Sequence, residues 1–375
     1  MLSIAQPLRL LLDVSSSRSG VRAAARFLRR ASPRAVSTIE MAAASSDVIV
    51  VTRRLPPAQL ALLCARAGAS VVAHDSEDPP TPAELRALCA RGGGAAALVC
   101  TLSDVVDAGV VAACGGRLRV VSTMSAGVSH VDVAALRAAG ARLGNTPGVL
   151  TDSTADLVLA LALAVARRVV EAAAAVRSGE WSSWRPYWMC GKDLARSRCG
   201  IIGMGRIGEA VARRLRGFDC EVVYDGRSGA KPEVDARLGT RWVPREELLA
   251  TSDFVFLLCA LTPETRGMVG AAQLRAMKDD AVFVNASRGE TVNQDDLVAV
   301  LRERPRMRAG LDVCSPEPLP PGHPLLGADL AQRVLVLPHI GSASDACRAE
   351  MTAITVRNAL AGLDGGRMEA EVALK

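Results

Sequence analysis

The stretch CGIIGMGRIGEAVARRL, residues 199–215, decides the fold. Its first four residues are apolar and predict a strand, and three glycines follow in the pattern G-x-G-x-x-G at Gly203, Gly205 and Gly208. The residues after the last glycine place apolar side chains at helical spacing, which predicts an amphipathic helix. A strand, a tight glycine turn and a helix in this order present free backbone amides to a pyrophosphate, so the pattern predicts a dinucleotide-binding unit.

The second predicted strand of this unit, EVVYD, gives two opposite indications about the dinucleotide. It ends at Asp225, and an acid at this place bonds the 2′-hydroxyl of NAD and repels the 2′-phosphate of NADP. Arg227 and Ser228 follow at once, and such side chains offer charge-assisted hydrogen bonds to a phosphate. The residues by themselves leave NAD and NADP both open.

Short apolar runs alternate with helical stretches in two successive blocks. The first block has the strand candidates DVIVVTR, SVVAHD, AALVC and LRVVSTM, and the second has CGIIGMG, EVVYD, FVFLLC, AVFVNAS, AGLDV and VLVLPH. Between the blocks, residues 151–178 predict one long helical stretch. Near-continuous apolar strands separated by helices are typical of parallel sheets covered on both faces. The predicted fold class is therefore α/β, with two Rossmann-like, doubly wound parallel-sheet domains.

Composition excludes several classes of protein. Of 375 residues, 50% are hydrophobic and 22% charged, which is globular composition and not that of a disordered chain. The longest apolar run, Leu157 to Ala166, is shorter than the roughly 20 residues of a bilayer-spanning helix. The ten cysteines include no C-x-x-C pair, so we expect free thiols and no metal site.

The first 45 residues differ in composition from the rest. They contain seven arginines and two acids, and so supply five of the six net positive charges of the chain. The remainder is close to neutral, which gives no reason to expect a nucleic-acid partner. A segment rich in Arg, Ser and Ala is typical of a mitochondrial transit peptide. The alternative is a disordered or mispredicted extension, with translation from Met41 and a cytoplasmic protein. In either case residues 1–45 are left out of the fold prediction.

Three polar residues stand at predicted strand ends of the second block. Arg288 follows AVFVNAS, Glu317 follows AGLDV, and His339 ends VLVLP. Strand ends of one parallel sheet meet at one edge, where ligands bind in doubly wound folds. Glu317 beside His339 would keep the imidazole protonated so that it can donate a proton, and Arg288 can grip a carboxylate with two hydrogen bonds. The alternative is three unrelated surface and capping residues.

The chain resembles the D-isomer-specific 2-hydroxyacid dehydrogenases, and within that family the glyoxylate and hydroxypyruvate reductases of animals. The resemblance covers about residue 47 to the end. It rests on seven motifs in order: STMSAGVSH (122–130), TPGVLTDSTADL (146–157), WSSWRPYWMCG (181–191), GIIGMGRIG (200–208), NASRGETVNQDDL (285–297), GLDVCSPEPLP (310–320) and LPHIGSA (337–343).

The resemblance implies reduction of glyoxylate to glycolate and of hydroxypyruvate to D-glycerate, in a cleft between the two domains. It implies a substrate domain of residues 46–147 plus 344–375, including a helix over about 344–364, and a dinucleotide domain of residues 148–343. It also implies roles for individual residues. The catalytic residues would be Arg288, Glu317 and His339; the substrate would also contact Ala126, Gly127, Ser342 and Trp184; the cofactor would contact Gly203, Gly205, Arg206, Ile207, Gly208, Asp225, Arg227, Ser228, Ala260, Ala286, Asp312 and Gly341.

The family also bears on partners and on the choice of cofactor. The Trp-rich segment resembles one that crosses a homodimer interface, with Trp184 reaching the partner's active site; the alternative is ordinary core tryptophans. Ser129 stands where the family usually has Asp, and the animal reductases have no acid where Asp225 stands. Arg227 matches the residue that contacts the 2′-phosphate, so NADP(H) is favoured and NAD(H) remains possible. His74 and His130 are interpreted as structural, and His323 receives no role.

Two other functions compete with this one. A phosphoglycerate-type dehydrogenase would need extra basic residues near the active site and usually has a regulatory C-terminal domain, and neither is evident. A dinucleotide-sensing corepressor shares the fold and the three catalytic positions. The basic leader and the segment WSSWRPYW favour the enzyme.

Overall fold

The computed structural model describes residues 38–41 and 47–374, and these form two compact units. One unit runs to Pro147 and resumes at Ala349, and the other spans Gly148–Arg348. The sequence places the second boundary a few residues earlier, at 343/344. Most of the leader lies outside the described residues.

The first unit is a parallel sheet with one antiparallel edge strand. Its sheet order is β1-β3-β2-β4-β5-β6, and β1 alone runs antiparallel, against β3. Strand β1 falls within the range that the sequence assigns to the leader. The elements of this unit are β1 (Thr38–Met41), β2 (Asp47–Val51), α1 (Pro57–Ala65), β3 (Ala69–His74), α2 (Pro82–Ala90), β4 (Ala95–Thr101), α3 (Ala108–Ala113), β5 (Val120–Met124), α4 (Val133–Ala138) and β6 (Arg142–Gly144).

Local signals explain where the helices of the first unit begin. Thr81 and Glu84 form a capping box at the start of α2, and the side chain of Asp107 accepts the Val110 amide at the start of α3. These side chains satisfy amides that the first helical turn leaves without partners. Helix α4 and strand β6 were not predicted from the sequence, and they are only six and three residues long.

The second unit is a seven-stranded, wholly parallel sheet in the order β13-β12-β11-β10-β7-β8-β9. All six strands predicted there are present, and the predicted fold class is confirmed. The elements are α5 (Thr151–Ala166), α6 (Val169–Arg177), β7 (Arg198–Ile202), α7 (Arg206–Leu215), β8 (Glu221–Asp225), α8 (Pro232–Leu238), β9 (Thr240–Trp242), α9 (Arg245–Thr251), β10 (Phe254–Leu257), α10 (Ala271–Ala276), β11 (Val282–Asn285), α11 (Gln294–Glu303), β12 (Arg308–Leu311) and β13 (Val334–Val336). Strand β9 and helix α8 were not predicted.

The single long helix predicted over 151–178 is wrong, because the chain forms two helices there. They are separated at Arg168, whose φ of 56° is left-handed. The carbonyl of Ala166 accepts the amide of Lys192, and Gly191 packs so closely on that carbonyl that a Cβ would lie 2.1 Å from its oxygen. A distant segment thus ends the first helix, which the local apolar pattern does not indicate.

Helix α12 (Asp345–Leu363) agrees with the helix expected at 344–364 and ties the C-terminus into the first unit. The buried Asn358 donates to the carbonyl of Asn145 at 3.1 Å and accepts the amide of Glu369 at 2.8 Å. Gly144 lies against the same side chain, because a Cβ on this glycine would come within 2.9 Å of the Cβ of Asn358. These contacts hold strand β6, α12 and the last residues together.

None of the helices in the described ranges is long and apolar enough to cross a membrane. All ten cysteines fall within those ranges and are free; Cys190 is exposed, and the other nine are buried or half-buried.

Candidate active site

The glycine turn after β7 has the shape that a pyrophosphate requires. Gly203 has a φ of 107°, which favours glycine, and its amide donates to the carbonyl of Asp225 at 2.8 Å. A Cβ on Gly208 would lie 2.3 Å from the Gly203 oxygen, so α7 packs against the turn only because this residue is glycine. Space is open around Gly205, at the start of α7. The turn therefore fits the phosphates of a dinucleotide.

The predicted cofactor residues gather at one edge of the second sheet. The strand order reverses between β7 and β10, and a Cβ on Gly203 would lie 2.6 Å from the amide nitrogen of Cys259, just after β10. Ligands bind at such a point in doubly wound sheets. The remaining predicted contacts follow the carboxyl ends of strands in the same sheet: Ala260, Ala286, Asp312 and Gly341.

The end of β8 differs from the sequence prediction in one respect. The sequence suggests Asp225 as an acceptor for the ribose 2′-hydroxyl that would repel a 2′-phosphate, but its Oδ2 already accepts a hydrogen bond from Nε of Arg245 at 2.7 Å. Arg245 is the first residue of α9 and was missed, because nothing in the local sequence links it to Asp225. Arg227 and Ser228 are exposed beyond the strand end.

Arg288 is held by a network of hydroxyl and amide groups. Its carbonyl accepts from Nδ2 of Asn285 at 3.1 Å and from Oγ1 of Thr291 at 2.7 Å. Ser287 links the same two residues, donating to Asn285 Oδ1 at 2.7 Å and lying 3.0 Å from Thr291 Oγ1. Burial lowers the pKa of the Arg288 guanidinium from its ordinary value, against the opposing charges of Glu317 and Glu290.

The loop that carries Glu317 is attached to the loop of Arg288 at two points. A Cβ on Gly289 would lie 1.9 Å from the Cys314 carbonyl, so the two backbones touch. Oε1 of Gln294 accepts the amide of Ser315 at 2.9 Å, and its Nε2 donates to the carbonyl of the same residue. Gln294 lies within the motif NASRGETVNQDDL, but no role was predicted for it from the sequence.

Glu317 and His339 form the predicted pair. Nδ1 of His339 lies 2.9 Å from Oε2 of Glu317, whose Oε1 accepts the amide of Cys314 at 2.9 Å. Burial raises the pKa of the Glu317 carboxyl, but the hydrogen bond and charge of His339, with the Cys314 amide and the charge of Arg288, outweigh it, so the pKa is lowered overall. An ionised carboxylate only accepts, so Nδ1 of His339 carries the hydrogen and Nε2 is left for another partner.

Asp312 fixes the backbone of the histidine turn. His339 has a left-handed φ of 54°, and its amide donates to the Asp312 carbonyl at 2.9 Å. The carboxylate of Asp312 accepts the amides of Ile340 at 2.8 Å and Gly341 at 2.9 Å. Burial raises the pKa of Asp312, and these amides and the charge of His339 compensate only in part. Its place beside a nicotinamide stays a prediction, and the structure adds a positioning role.

The expected carboxylate loop lies in the first unit, directly after β5. The carbonyl of Ala126 accepts from Nδ2 of Asn145 at 2.8 Å, and the carbonyl of Gly127 accepts from the Ser125 hydroxyl at 2.7 Å. Within the described chain the amides of Ala126 and Gly127 have no hydrogen-bond partner, so they can receive an anion. Ser129, the departure from the family, is exposed.

The other three histidines have no predicted catalytic role. Nε2 of His130 lies 2.9 Å from the Thr123 hydroxyl, His74 is buried, and Nδ1 of His323 accepts the Leu325 amide at 3.2 Å. No group of three or more His, Cys, Asp or Glu side chains in the described ranges has an arrangement that could hold a metal ion.

The Trp-rich segment is not part of a core. Trp184 is 82% exposed, and Trp181 and Tyr187 are also exposed. They follow the exposed Val169 and Val170 of α6 along the chain.

Ser342, the other predicted substrate contact, is half-buried in the turn after His339.

Comparison with known proteins places this arrangement in a family. A family model described as "D-isomer specific 2-hydroxyacid dehydrogenase, NAD binding domain" matches residues 159–341. The chain is 44% identical to the glyoxylate reductase/hydroxypyruvate reductase of Homo sapiens over 327 residues, which cover 87% of this chain and 98% of that protein. It is also 44% identical over 266 residues to a glyoxylate reductase of Korarchaeum cryptofilum, covering 71% of this chain and 79% of that one.

Solved structures give the same result. The crystal structure of the TT0316 protein from Thermus thermophilus superposes with a TM-score of 0.79 at 43% identity, covering 87% of this chain and all (100%) of that one. An NADPH-dependent glyoxylate/hydroxypyruvate reductase from Sinorhizobium meliloti, in complex with NADP and malonate, has a TM-score of 0.74 at 28% identity, covering 88% and 98%.

Fold and site define an NAD(P)-dependent oxidoreductase. The chain belongs to the family of D-isomer-specific 2-hydroxyacid dehydrogenases.

Proposed function

We propose that this protein reduces glyoxylate to glycolate and hydroxypyruvate to D-glycerate, with NADPH preferred over NADH. The observation that carries the proposal is the 2.9 Å pair of Glu317 and His339, in the domain that also holds Arg288 and the glycine turn. The relatives named for these two substrates support the choice of substrate. The basic side chains at the end of β8 and the NADP-bound relative support the choice of cofactor.

The cofactor would be held by the turn at Gly203–Gly208 and by the residues at the ends of the neighbouring strands. When bound, its reduced nicotinamide supplies a hydride to the keto carbon of the substrate. The protein supplies the position of the substrate, the proton and the electrostatic environment.

Three side chains bind the substrate and supply the proton in this proposal. Arg288 binds the carboxylate of the 2-keto acid, because a planar guanidinium matches it with two parallel hydrogen bonds. Nε2 of protonated His339 transfers a proton to the carbonyl oxygen as the keto carbon accepts the hydride, giving the 2-hydroxy acid. Glu317 stabilises the imidazolium through Nδ1 and fixes the ring orientation. His339, then neutral, regains its proton from water.

The amides of Ala126 and Gly127 serve as a further carboxylate site in this proposal. Two free amides in one loop attract an anion through their aligned dipoles. The placement of the substrate between the two domains stays a prediction.

The exposed aromatic segment favours a homodimer as the functional form. Large apolar side chains are exposed at Trp181, Trp184 and Tyr187, within one short stretch of the chain, and exposed apolar patches mark interaction surfaces. Trp184 is the residue that would reach the active site of the second subunit.

Residues 1–40 are proposed to direct import into mitochondria, with a cytoplasmic protein if translation starts at Met41. The composition of the segment supports import. A reporter fused behind residues 1–40 should enter mitochondria, and a reporter carrying the same residues with the seven arginines replaced by glutamine should not. A cytosolic reporter in both cases would contradict the proposal.

Steady-state kinetics of the full chain test the function. Glyoxylate, hydroxypyruvate and pyruvate are each given with NADPH and with NADH, and oxidation of the nicotinamide is followed. The proposal predicts turnover with the first two substrates and higher kcat/KM with NADPH. Tight cofactor binding without turnover of any 2-keto acid would favour the corepressor, and turnover of a phosphorylated substrate alone would favour the phosphoglycerate-type enzyme.

A further inference from the structure

The ion pair between Asp225 and Arg245 lies where an adenosine ribose is recognised in dinucleotide-binding domains. Strand β9 runs parallel to β8, with Trp242 opposite Tyr224, and the amide of Val243 donates to the Tyr224 carbonyl at 3.0 Å. The first residue of α9 is thereby carried alongside the end of β8. The topology of the sheet, and not the adjacent sequence, brings Arg245 to Asp225.

Burial of Asp225 strengthens the electrostatic interactions of this ion pair. Asp225 is only 8% exposed, and its Oδ2 is bound to Arg245 Nε at 2.7 Å. A carboxylate taken out of water interacts more strongly with nearby charges than an exposed one does. The negative charge of Asp225 is compensated by the guanidinium of Arg245. An anion that approaches therefore meets a neutral ion pair and not an unpaired carboxylate.

Further donors are available beside the pair. Arg245 uses Nε for Asp225, and in the described ranges its two terminal nitrogens have no other partner. The guanidinium of Arg227 likewise has no hydrogen-bond or ion-pair partner there, although its charge lowers the pKa of Glu264, after the larger effect of a hydrogen bond with Thr262. Lys231 is committed elsewhere, since its Nζ donates to the Met204 carbonyl at 2.6 Å.

We propose that Arg245 is the residue that determines cofactor specificity, because it neutralises Asp225 and thereby lets a 2′-phosphate bind at the end of β8. With Arg245 present, the carboxylate of Asp225 is bound to the guanidinium, and Arg227 and the terminal nitrogens of Arg245 are available as donors to a 2′-phosphate. Without Arg245, the same carboxylate becomes an acceptor for the ribose 2′-hydroxyl and repels a phosphate. This inference rests on the proposed NADPH preference and assigns it to one ion pair.

The test is a double-mutant cycle on Arg245 and Asp225, with kcat/KM measured for NADPH and NADH on hydroxypyruvate. Arg245→Ala should lower kcat/KM with NADPH roughly 10- to 100-fold, since an uncompensated charge near a phosphate costs one to two decades at surface-like dielectric. It should raise kcat/KM with NADH several-fold. In the Asp225→Thr background, Arg245→Ala should give no gain with NADH, because the acid responsible for that gain is gone.

Controls separate the pair from general effects of charge. Arg241→Ala removes one positive charge on the adjacent strand, where Arg241 pairs with Glu221, and should leave the cofactor preference unchanged. Arg245→Gln removes the charge but keeps an N–H donor as many bonds from Cα as the Nε that bonds Asp225, and it should behave as Arg245→Ala does. Thermal melting of each variant checks that it is folded.

Binding of two fragments of the cofactor tests the role of Arg245 without relying on turnover. Calorimetry with 2′,5′-ADP and 5′-AMP measures recognition of the phosphate directly, and Arg245→Ala should abolish a preference for 2′,5′-ADP. If the protein shows this change but reduces no 2-keto acid, the proposed function fails and the role of Arg245 stands. The role of Arg245 is wrong if the enzyme turns over but Arg245→Ala changes kcat/KM equally for NADPH and NADH. It is also wrong if Arg245→Ala still raises kcat/KM with NADH in the Asp225→Thr background.

Discussion

Nδ1 of His339 lies 2.9 Å from Oε2 of Glu317, although the two residues are 22 positions apart in the chain. The pair is assembled by two loops that each follow a strand of the same parallel sheet. Asp312 fixes the histidine loop through three backbone amides, and the Cys314 amide fixes the glutamate. The geometry of the proposed proton donor, His339, thus depends on backbone contacts as much as on the two side chains.

Replacement of His339 tests the proton donor. His339→Ala should lower kcat by about 10²–10⁴, the usual contribution of a positioned general acid. NADPH affinity, followed by nicotinamide fluorescence, should change little. His323→Ala serves as the matched control, because His323 caps a surface turn and should leave the rate near normal. A normal kcat in His339→Ala would remove this residue from the mechanism.

Replacement of Arg288 tests the carboxylate site. Arg288→Lys keeps the charge but not the planar pair of donors, so kcat/KM for glyoxylate should fall by about two decades. The comparison variant is Arg302→Lys, an exposed arginine paired with Asp329. Equal kcat/KM in Arg288→Lys and wild type would show that the substrate carboxylate binds elsewhere.

The two hydrogen bonds between Gln294 and the backbone of Ser315 predict that Gln294 positions the loop that carries Glu317. Gln294→Ala should lower kcat by about 10-fold or more with little change in KM, since misplacing a catalytic group is costly even when binding is intact. Gln273→Ala is the control, because Gln273 also bonds a backbone amide, that of Gly270, at a helix start. If both variants lose the same stability and neither loses kcat, the bridge is structural only.

The lowered pKa of Glu317 predicts a pH dependence of stability. A carboxyl whose pKa is lower in the folded state than its ordinary 4.5 stabilises the protein above that ordinary value. The benefit is lost as the pH falls through the lowered value. The melting temperature of the wild type should therefore exceed that of Glu317→Gln at about pH 6, and the difference should shrink as the pH is taken below 4.5. A difference that grows on acidification would contradict the assignment.

Subunit mixing tests the reach of Trp184 into a second active site. Trp184→Ala and His339→Ala should each be poorly active alone. After the two variants are mixed and allowed to exchange, about half of the dimers are hybrids, and each hybrid has one complete site. Activity should therefore recover to about a quarter of the wild-type value. No recovery, with exchange verified by mass, would place Trp184 outside the partner's site.

Sequence alone determined the features that depend on neighbouring residues. The apolar run ahead of Gly203 and the amphipathic pattern behind Gly208 identify the strand, turn and helix, because side-chain periodicity and glycine conformations are local properties. The contact between Glu317 and His339 was predicted because the ends of parallel strands meet at one edge, and the catalytic roles of these two residues and Arg288 stay predictions. The short elements β9 and α8 were missed, since three and seven residues show little periodicity.

Tertiary structure decided the features that join distant segments. Arg245 reaches Asp225 across 20 positions and Gln294 reaches Ser315 across 21, and nothing adjacent to either residue indicates its partner. The helix expected over 151–178 ends at Ala166. The carbonyl of Ala166 accepts a hydrogen bond from the amide of Lys192, which lies beyond the predicted helix. Local pattern records which face of an element is apolar, whereas the pairing of a buried charge or a backbone carbonyl depends on which other element the sheet order places beside it.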